Sequence, residues 1–242
     1  MTEPATVHDC KGQCSWLFSN LPPRALDRLN ELSRSVNYGA GEMIFQEGEP
    51  AFGLYIICSG KVKLSKYASQ GKKQILKLLG PGEMLGEKTM FDNEIYTAHA
   101  KTLEETTLHF IERNAFVDFL KAHPDVALRL IEKLAREIKG FQGKLVEIAY
   151  EDSSERLARL LLLIAKEYGI KTPKGTDIGI ELARSELAEL AGMSTETAIR
   201  TLSKFKERNM IHLDGHRILI IDKERLNKFA EPFLVALKEN LF

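Results

Sequence analysis

The 242-residue chain has little cysteine, a single tryptophan, no net charge and no long apolar run. Three cysteines, an odd number without the spacing of a disulfide scaffold, favour a reducing compartment. The longest aliphatic run, residues 160–165, is too short to span a bilayer, and no apolar signal core begins the chain. We therefore expect a cytoplasmic protein with no membrane partner.

A net charge of zero also argues against a chain that coats nucleic acid through overall basicity. The composition, 44% hydrophobic and 28% charged, is typical of a folded globular protein, and the length allows two modest domains. The sequence shows no paired nucleophile and base, no metal-ligand cluster and no phosphate-binding loop. We therefore do not expect an enzyme.

The most informative segment, residues 183–205, has the pattern of two short helices separated by a turn at residues 192–194. The second helix is predicted to carry three polar side chains on one face and three apolar ones behind them. The polar set is Thr195, Glu196 and Arg200, and the apolar set is Ala198, Leu202 and Phe205. An arginine can bridge O6 and N7 of guanine, and a glutamate can accept from the N4 amino group of cytosine. The segment is therefore predicted to be a helix-turn-helix that reads G·C pairs.

The next segment, residues 210–221, alternates like two strands joined by Asp214-Gly215, a strong hairpin signal. A helix-turn-helix followed by a hairpin is typical of a winged helix. From Thr195 to Arg217, five basic residues outnumber three acidic ones, so the segment carries a net charge of about +2. That local charge suffices for nucleic acid if a dimer doubles the phosphate contacts.

The first half of the chain has a different texture. Leucines at helical spacing predict a helix over residues 23–33, and residues 36–111 consist of short strand patterns punctuated by nine glycines. Such a run indicates a β-barrel or a β-roll.

A long helix is predicted from Asp125, a suitable N-cap, to about Tyr150. Its apolar residues recur with a heptad period at two core positions. The first position holds Ala127, Leu134, Phe141 and Ile148, and the second holds Ile131, Ile138 and Leu145. We interpret this stripe as the interface of a parallel homodimer; the alternative is a stripe that packs on its own domain.

These patterns predict an α+β protein in four parts. They are an N-terminal arm (1–20), a jelly-roll-like, double-stranded β-roll sensor (21–124), a dimerisation helix (125–151) and a winged-helix domain (152–242). Ser153 or Ser154 is predicted to cap the next helix, with a flexible joint at residues 150–154. A last helix is predicted from Lys223 to Leu241.

This order of parts resembles the Crp/Fnr family of bacterial transcription regulators. These combine a β-roll of the cyclic-nucleotide-binding type, a long dimerisation helix and a winged helix. The resemblance covers about residues 17–222. It rests on GAGE at 39–42, QEGE at 46–49, LYII at 54–57, SGKV at 59–62, GPGE at 80–83, LGE at 85–87 and GMSTETAIR at 192–200.

The resemblance implies roles for the second helix of the helix-turn-helix. In the family, the residues that match Glu196 and Arg200 read G·C pairs in half-sites similar to TGTGA or TTGAT, and both are present here. Thr195 lies where the cyclic-AMP-responsive branch has a further base-reading arginine, so the half-site is expected to differ. Ser194, Thr197 and Lys204 are expected to contact phosphates, which position the helix without specifying sequence.

The resemblance also implies an effector site in the roll. The family's cyclic-AMP site uses the glutamate of a Gly-Glu pair for the ribose hydroxyl, and an arginine followed by Ser/Thr for the phosphate. Gly86-Glu87 matches the first part, but Tyr96-Thr97 places a tyrosine where the arginine is needed. A buried phosphate requires a cation or an array of amide donors, so we do not expect tight binding of cyclic AMP. Glu87, Tyr96 and Thr97 are the effector candidates; alternatively, Glu87 only ties loops together.

Another branch of the family senses oxygen with a [4Fe-4S] cluster held by cysteines of the N-terminal arm and of the roll. Here Cys10, Cys14 and Cys58 supply three thiolates where four are usual. An iron-sulfur cluster, a zinc or redox role for Cys10 and Cys14, and no special role all stay open. Cys58 is in phase with apolar neighbours, which favours a core position. Haem is a further alternative, with His99 and His109 as the histidines nearest to such a role.

The sequence therefore predicts a homodimeric, sequence-specific DNA-binding transcription regulator that senses a small effector or redox signal other than cyclic AMP. The effector is expected to reorient the two winged helices on a roughly palindromic duplex site, with RNA polymerase as a further partner. Gly140, Gly143 and the joint at 150–154 are the expected sites of that motion. The alternative is an effector-independent regulator whose roll is only a dimer scaffold.

Overall fold

A computed structural model describes residues 17–18, 21–67, 71, 73–91, 95–150 and 152–230, without the side chains of residues 143–150. The chain divides into two compact units, one ending at Ile138 and the other beginning at Lys139. Among the described residues, no helix has both the length and the apolar character needed to cross a membrane. The α+β class, with a β-roll, a long helix and a winged helix, is confirmed.

The first unit is an antiparallel roll with helices at its ends. Its strands are β1 (Ser33–Tyr38), β2 (Met43–Phe45), β3 (Gly53–Ser59), β4 (Val62–Tyr67), β5 (Lys73–Leu79), β6 (Met84–Leu85), β7 (His99–Thr102) and β8 (Thr106–Glu112). They form two sheets of four strands, in the orders β1-β8-β3-β6 and β2-β7-β4-β5. The helices are α1 (Pro23–Leu32), a 3-10 turn (Glu87–Met90), α2 (Arg113–Ala122) and α3 (Pro124–Tyr150).

Two apolar clusters stabilise this unit. One fills the roll with residues such as Ile57, Val62 and Leu108. The other packs the helices α1, α2 and the start of α3 against β3, and includes Phe116 and Leu130. Full burial of one such side chain stabilises the fold by about 1.5–3 kcal/mol. The start of the long helix is therefore part of the sensor core.

The second unit contains the winged helix. Its elements are α4 (Ser153–Tyr168), β9 (Ile170–Thr172), β10 (Gly175–Asp177), α5 (Arg184–Ala191), α6 (Thr195–Glu207), β11 (Ile211–Asp214), β12 (Arg217–Ile220) and α7 (Lys223–Ala230). The strand order of its sheet is β11-β12-β10-β9. Sequence analysis missed β9 and β10, and the predicted continuation of α7 past Ala230 lies outside the described residues.

The helix starts differ from the prediction. Pro124 begins α3, so Asp125 lies in the first turn, where its charge suits the helix dipole, and is not the N-cap. The cap of α4 is Asp152, whose Oδ1 accepts from the backbone N–H groups of Ser154 (2.6 Å) and Glu155 (2.9 Å). The Glu155 carboxylate accepts in return from the Asp152 N–H at 3.0 Å, which completes a capping box. A carboxylate satisfies these donors better than the predicted serines would.

The division between the two units falls inside α3, close to Gly140, one of the expected sites of motion, and the joint at residues 150–154 stays a prediction. Gly140 lies in regular helix, and a Cβ added there would contact no other atom within 4 Å. Packing against the described residues therefore does not require a glycine at this position. A glycine weakens a helix, and this is the physical reason to expect bending here.

Candidate DNA interface and effector site

The turn between α5 and α6 is built by two capping residues. Gly192 ends α5 with a φ of 64°, a left-handed conformation that favours glycine. Ser194 then caps α6, because its side-chain Oγ accepts from the backbone N–H of Thr197 at 3.2 Å. The two caps stop one helix and start the next within a few residues, as the sequence predicted.

The outer face of α6 carries the three predicted base-reading side chains. Thr195, Glu196 and Arg200 are all exposed, and neither Glu196 nor Arg200 forms an ion pair with another described residue. Behind them the apolar set is buried, as predicted: Ala198, Leu202 and Phe205 are at most 1% exposed. Core packing therefore fixes which face of α6 is presented, and leaves a cation and a carboxylate one turn apart for polar groups outside the protein.

The residues assigned to phosphates differ in how freely they can act. Lys204 is exposed on the last turn of α6. The hydroxyls of Ser194 and Thr197 lie 2.9 Å apart and bond to each other. These two side chains therefore hold the start of α6 in place, a structural role that the sequence interpretation did not include for Thr197.

The hairpin after α6 turns one residue later than predicted. Asp214 pairs with Arg217, so the two turn residues are Gly215 and His216 and not Asp214-Gly215. Gly215 has a φ of 55°, as the first position of a tight hairpin turn requires. Its carbonyl accepts from Nη2 of Arg184 at 2.8 Å, so the first residue of α5 holds the tip of the wing. Burial lowers the pKa of Arg184.

An ion pair ties the second strand of the wing, β12, to β10. The Arg217 guanidinium donates to Oδ2 of Asp177 at 2.7 Å and 3.2 Å, and Oδ1 of Asp177 accepts from the Gly179 N–H at 2.8 Å. Hydrogen bonding and charge from Asp177 raise the pKa of Arg217. One of the five basic residues counted in this segment is therefore already neutralised, by a carboxylate from outside the segment.

In the roll, the candidate effector glutamate is tied to the long helix. Glu87 is 5% exposed in the 3-10 turn, and its Oε1 lies 2.6 Å from Nζ of Lys133 on α3. A carboxylate buried to this degree is stable in the charged form only when paired. The alternative considered for Glu87 is that it only ties loops together. In the structure Glu87 instead ties the 3-10 turn to the helix α3.

Beside this pair, three lysines surround one carboxylate. Glu137 lies 3.2 Å from Lys133, 3.0 Å from Lys88 and 3.4 Å from Lys77 in N···O distance. Burial would raise the pKa of Glu137, but Lys133 and Lys77, together with Lys88, lower it to about 2. Lys77 is also 2.9 Å from Glu83, so the network carries balanced charge. It joins β5, the 3-10 turn and α3.

Among the described contacts, the other two effector candidates are not members of this network. Tyr96 is buried, stacks on Phe45 with ring centroids 3.8 Å apart, and donates its hydroxyl to the Gly53 carbonyl at 3.1 Å. Burial raises the pKa of Tyr96 to about 12. Thr97 is exposed. The Tyr96 ring therefore lies in an aromatic cluster and offers no positive charge to an anion.

Comparison with known proteins accounts for both units. Residues 35–123 match the cyclic nucleotide-binding domain and residues 155–229 match the Crp-like helix-turn-helix domain. The CRP-like cAMP-activated global transcriptional regulator of Mycobacterium tuberculosis is 33% identical over 214 residues, which cover 88% of this chain and 96% of that protein. The chain belongs to the Crp/Fnr family of transcription regulators.

Further relatives of this Crp/Fnr protein agree with that assignment. The Cyclic AMP receptor protein of Thermus thermophilus is 29% identical over 214 residues, covering 88% of this chain and 96% of the relative. The solved structure of the c-di-GMP responsive global regulator CLP of Xanthomonas campestris superposes with a TM-score of 0.72 at 24% identity, over 82% of this chain and 99% of that one. The last likeness concerns the fold alone.

The apolar stripe of the Crp/Fnr protein's long helix has a different register from the predicted one. Ala127 and Leu134 pack against the core of their own unit, so this part of the predicted interface has the alternative role. Ile131 and Ile138, of the second heptad position, are each 60% exposed. With them on the exposed face lie Leu128 and Ala135, one residue after each of the two packed ones. Phe141 is half exposed, and the side chains of Leu145 and Ile148 lie outside the description.

Cys58 has a different role from the predicted ones. It is half-buried and disulfide-bonded, so it is neither a buried core residue nor, in this state, a thiolate that could hold a cluster. Cys10 and Cys14, the chain's other cysteines, lie outside the described residues. Within the described part, no three His, Cys, Asp or Glu side chains form a group able to hold a metal ion.

The two histidines considered for haem have partners in the roll. Nδ1 of His99 accepts from the Glu47 N–H at 3.3 Å, and its ring meets Tyr67 edge to face. His109 is buried, with Nδ1 3.4 Å from Oγ of Ser33. Both contacts are those of ordinary strand residues.

Proposed function

We propose that this Crp/Fnr protein is a cytoplasmic homodimer that binds a roughly palindromic DNA site, contacts RNA polymerase and responds to a signal other than cyclic AMP. The observation that carries the DNA-reading part is the outer face of α6. Glu196 and Arg200 are exposed there and form no ion pair with another described residue, while the opposite face of the helix is buried. This is the arrangement in which an arginine reads guanine and a glutamate reads cytosine in the major groove.

The homodimer is supported by the exposed stripe on α3. Leu128, Ile131, Ala135 and Ile138 follow a heptad spacing and face solvent in the single chain. The side chains of Leu128 and Ile131 are 62% and 60% exposed. Such a row of large aliphatic side chains gains free energy when it packs against an identical helix, since burial removes it from water.

The effector proposal rests on Tyr96 and Lys133. The relatives named for cyclic AMP favour that nucleotide, whereas the local chemistry opposes it. Tyr96 brings no positive charge to a phosphate, and Glu87, which would accept from the ribose, already holds Lys133 at 2.6 Å. Cyclic AMP would have to break a buried ion pair and gain no guanidinium in exchange. We give the local chemistry more weight.

Substitution of Arg200 tests base reading. Arg200→Ala should weaken binding to the preferred site by about 1–3 kcal/mol while leaving affinity for random DNA nearly unchanged. Lys204→Ala, on the same helix, is the matched control, because loss of a phosphate contact should weaken both DNAs alike. The preferred site is first selected from random duplexes, and affinities are measured by fluorescence anisotropy at fixed salt. An Arg200→Ala variant that loses both affinities equally would assign Arg200 to a phosphate.

A second candidate function is effector-independent regulation. The network around Glu137 favours it, because α3 is already fixed to the roll with every charge paired. Equal operator affinity with and without cyclic AMP, and in oxidised and reduced protein, would support this candidate. A change with oxidation alone would support a redox signal, and a gain in operator affinity at micromolar cyclic AMP would refute the exclusion of that nucleotide.

A further inference from the structure

A cleft in the first unit is lined by aromatic rings and has no part in DNA reading. Its volume is about 540 Å³, which lies within the range of small-molecule sites. The rings are Phe45, Phe52, Tyr55, Tyr96 and Phe110, and the lining cation is Arg34. All six belong to the roll, so the cleft lies within a single unit. Glu87 is not among its lining residues.

Strand register explains how three of these side chains meet. Arg34 of β1 pairs with Phe110 of β8, and Phe110 pairs with Tyr55 of β3. Directly opposed residues project from the same face of a sheet, so a cation and two rings form a row across three strands. The Arg34 guanidinium lies 4.8 Å from the centre of the Phe110 ring, and the centres of the Phe110 and Tyr55 rings are 5.0 Å apart.

Two further rings extend this row into the roll. Phe45 lies with its centre 6.0 Å from that of Tyr55, and Tyr96 stacks on Phe45 at an interplanar angle of 11°. Both Phe45 and Tyr96 are buried, and the Tyr96 hydroxyl is fixed by the Gly53 carbonyl. Phe52, by contrast, is 70% exposed. A preformed set of rings with one exposed member suits a flat aromatic ligand that stacks on the set.

One cation, Arg34, and two carboxylates, Glu49 and Glu112, line the cleft. Glu49 accepts from the Gln46 N–H at 2.8 Å, and Glu112 accepts from the Asn114 and Ala115 N–H groups at 3.1 Å each, as the cap of α2. Both carboxylates are therefore used by backbone donors. Arg34 is exposed and, among the described residues, makes no ion pair. Its guanidinium keeps N–H donors for a carboxylate.

We propose that this cleft binds a planar aromatic carboxylate. The ring of the ligand stacks among Phe52, Tyr55 and Phe110, and its carboxylate accepts hydrogen bonds from Arg34. Tyr96 thus has a positive role at the position where related proteins carry an arginine: it completes the aromatic wall behind the ligand. The proposal does not rest on the regulatory function, since it concerns binding alone.

The test is calorimetric titration of the full-length protein with 2-naphthoate. Binding should be saturable with one site per chain, and Arg34→Gln should weaken it about tenfold or more because the charged hydrogen bond is lost. The neutral analogue 2-naphthol should bind both proteins equally. Arg28→Gln, an exposed arginine that pairs with Glu31, is the matched control and should leave the affinity unchanged.

A second variant separates stacking from charge. Phe110→Leu keeps an apolar side chain but removes a ring, so it should weaken both 2-naphthoate and 2-naphthol. Circular dichroism and DNA binding verify that each variant is folded. The proposal is overturned if wild-type protein shows no saturable binding, if Arg34→Gln binds 2-naphthoate as well as the wild type does, or if 2-naphthylmethylammonium binds better than 2-naphthoate.

Discussion

Glu137→Gln removes the negative centre of the lysine network while keeping the shape of the side chain. Its carboxyl has a pKa lowered from 4.5 to about 2. A shift of that size corresponds to about 3.4 kcal/mol of stabilisation at neutral pH, since each unit is worth about 1.36 kcal/mol. The carboxylate is partly exposed, so solvent screening reduces the expected loss in Glu137→Gln to about 1–2 kcal/mol.

The sign of the pH dependence follows from the direction of the shift. Because the folded protein holds this carboxylate at a lower pKa than the unfolded chain does, its stabilisation is complete above pH 4.5 and is lost as the pH falls towards 2. The difference in unfolding free energy between wild type and Glu137→Gln should therefore shrink to less than half between pH 7 and about pH 3. Above pH 5 it should not change with pH.

The assay is urea unfolding, followed by circular dichroism at one protein concentration, since the proposed dimer would make apparent stability depend on concentration. Glu132→Gln is the matched control, because Glu132 is an exposed glutamate of the same helix with no ion pair to a described residue. It should change stability by less than about 0.5 kcal/mol. Equal stability of Glu137→Gln and Glu132→Gln at pH 7 would refute the reasoning.

Two further outcomes are expected. Ile131→Asp should place a charge in the exposed stripe of α3 and shift the protein from dimer to monomer in sedimentation velocity. Lys139→Asp, which is also exposed on α3 but lies outside the stripe, should leave the dimer intact. An undisturbed dimer in Ile131→Asp would exclude this stripe as the interface. Because Cys58 is disulfide-bonded and the chain has three cysteines, protein purified without reductant should show fewer than three reactive thiols per chain under denaturing conditions and three after reduction. Three thiols before reduction would contradict the bond.

The helix-turn-helix could be predicted because its signals are local. Gly192 and Ser194 lie within the turn that they define, and the apolar residues of α6 recur at helical spacing. The same holds for the hairpin, where only the turn residues shifted by one. By contrast, β9 and β10 are three residues each, too short for alternation to be recognised.

The lysine network around Glu137 could not be predicted, because its members are distant in sequence. Lys77 and Glu137 are 60 residues apart, and only the fold brings them together. The two faces of the long helix could not be assigned from the sequence for another reason. It has two apolar faces, one packed on the roll and one exposed, and a single heptad pattern merged them. Leu134 and Ala135 are adjacent, yet they lie on different faces, so the sequence alone could not choose between them.

The disulfide at Cys58 is unexpected in the reducing compartment that the sequence predicts. Cytosolic thiol buffers keep most such bonds open, and a disulfide in a cytoplasmic protein is therefore more often transient than structural. The odd cysteine count predicted the compartment but gave no sign of the bond, since pairing depends on which residues the fold brings close.

The ion pair between Arg217 and Asp177 bears on how strongly the wing can bind DNA of any sequence. Each cation that displaces a counterion steepens the fall of affinity with salt, and Arg217 cannot add to that slope while Asp177 holds it. The wing is therefore expected to contribute less to DNA affinity than its number of basic residues suggests. Nonspecific binding depends mostly on phosphate contacts, so the pairing of Arg217 with Asp177 is expected to weaken it in particular.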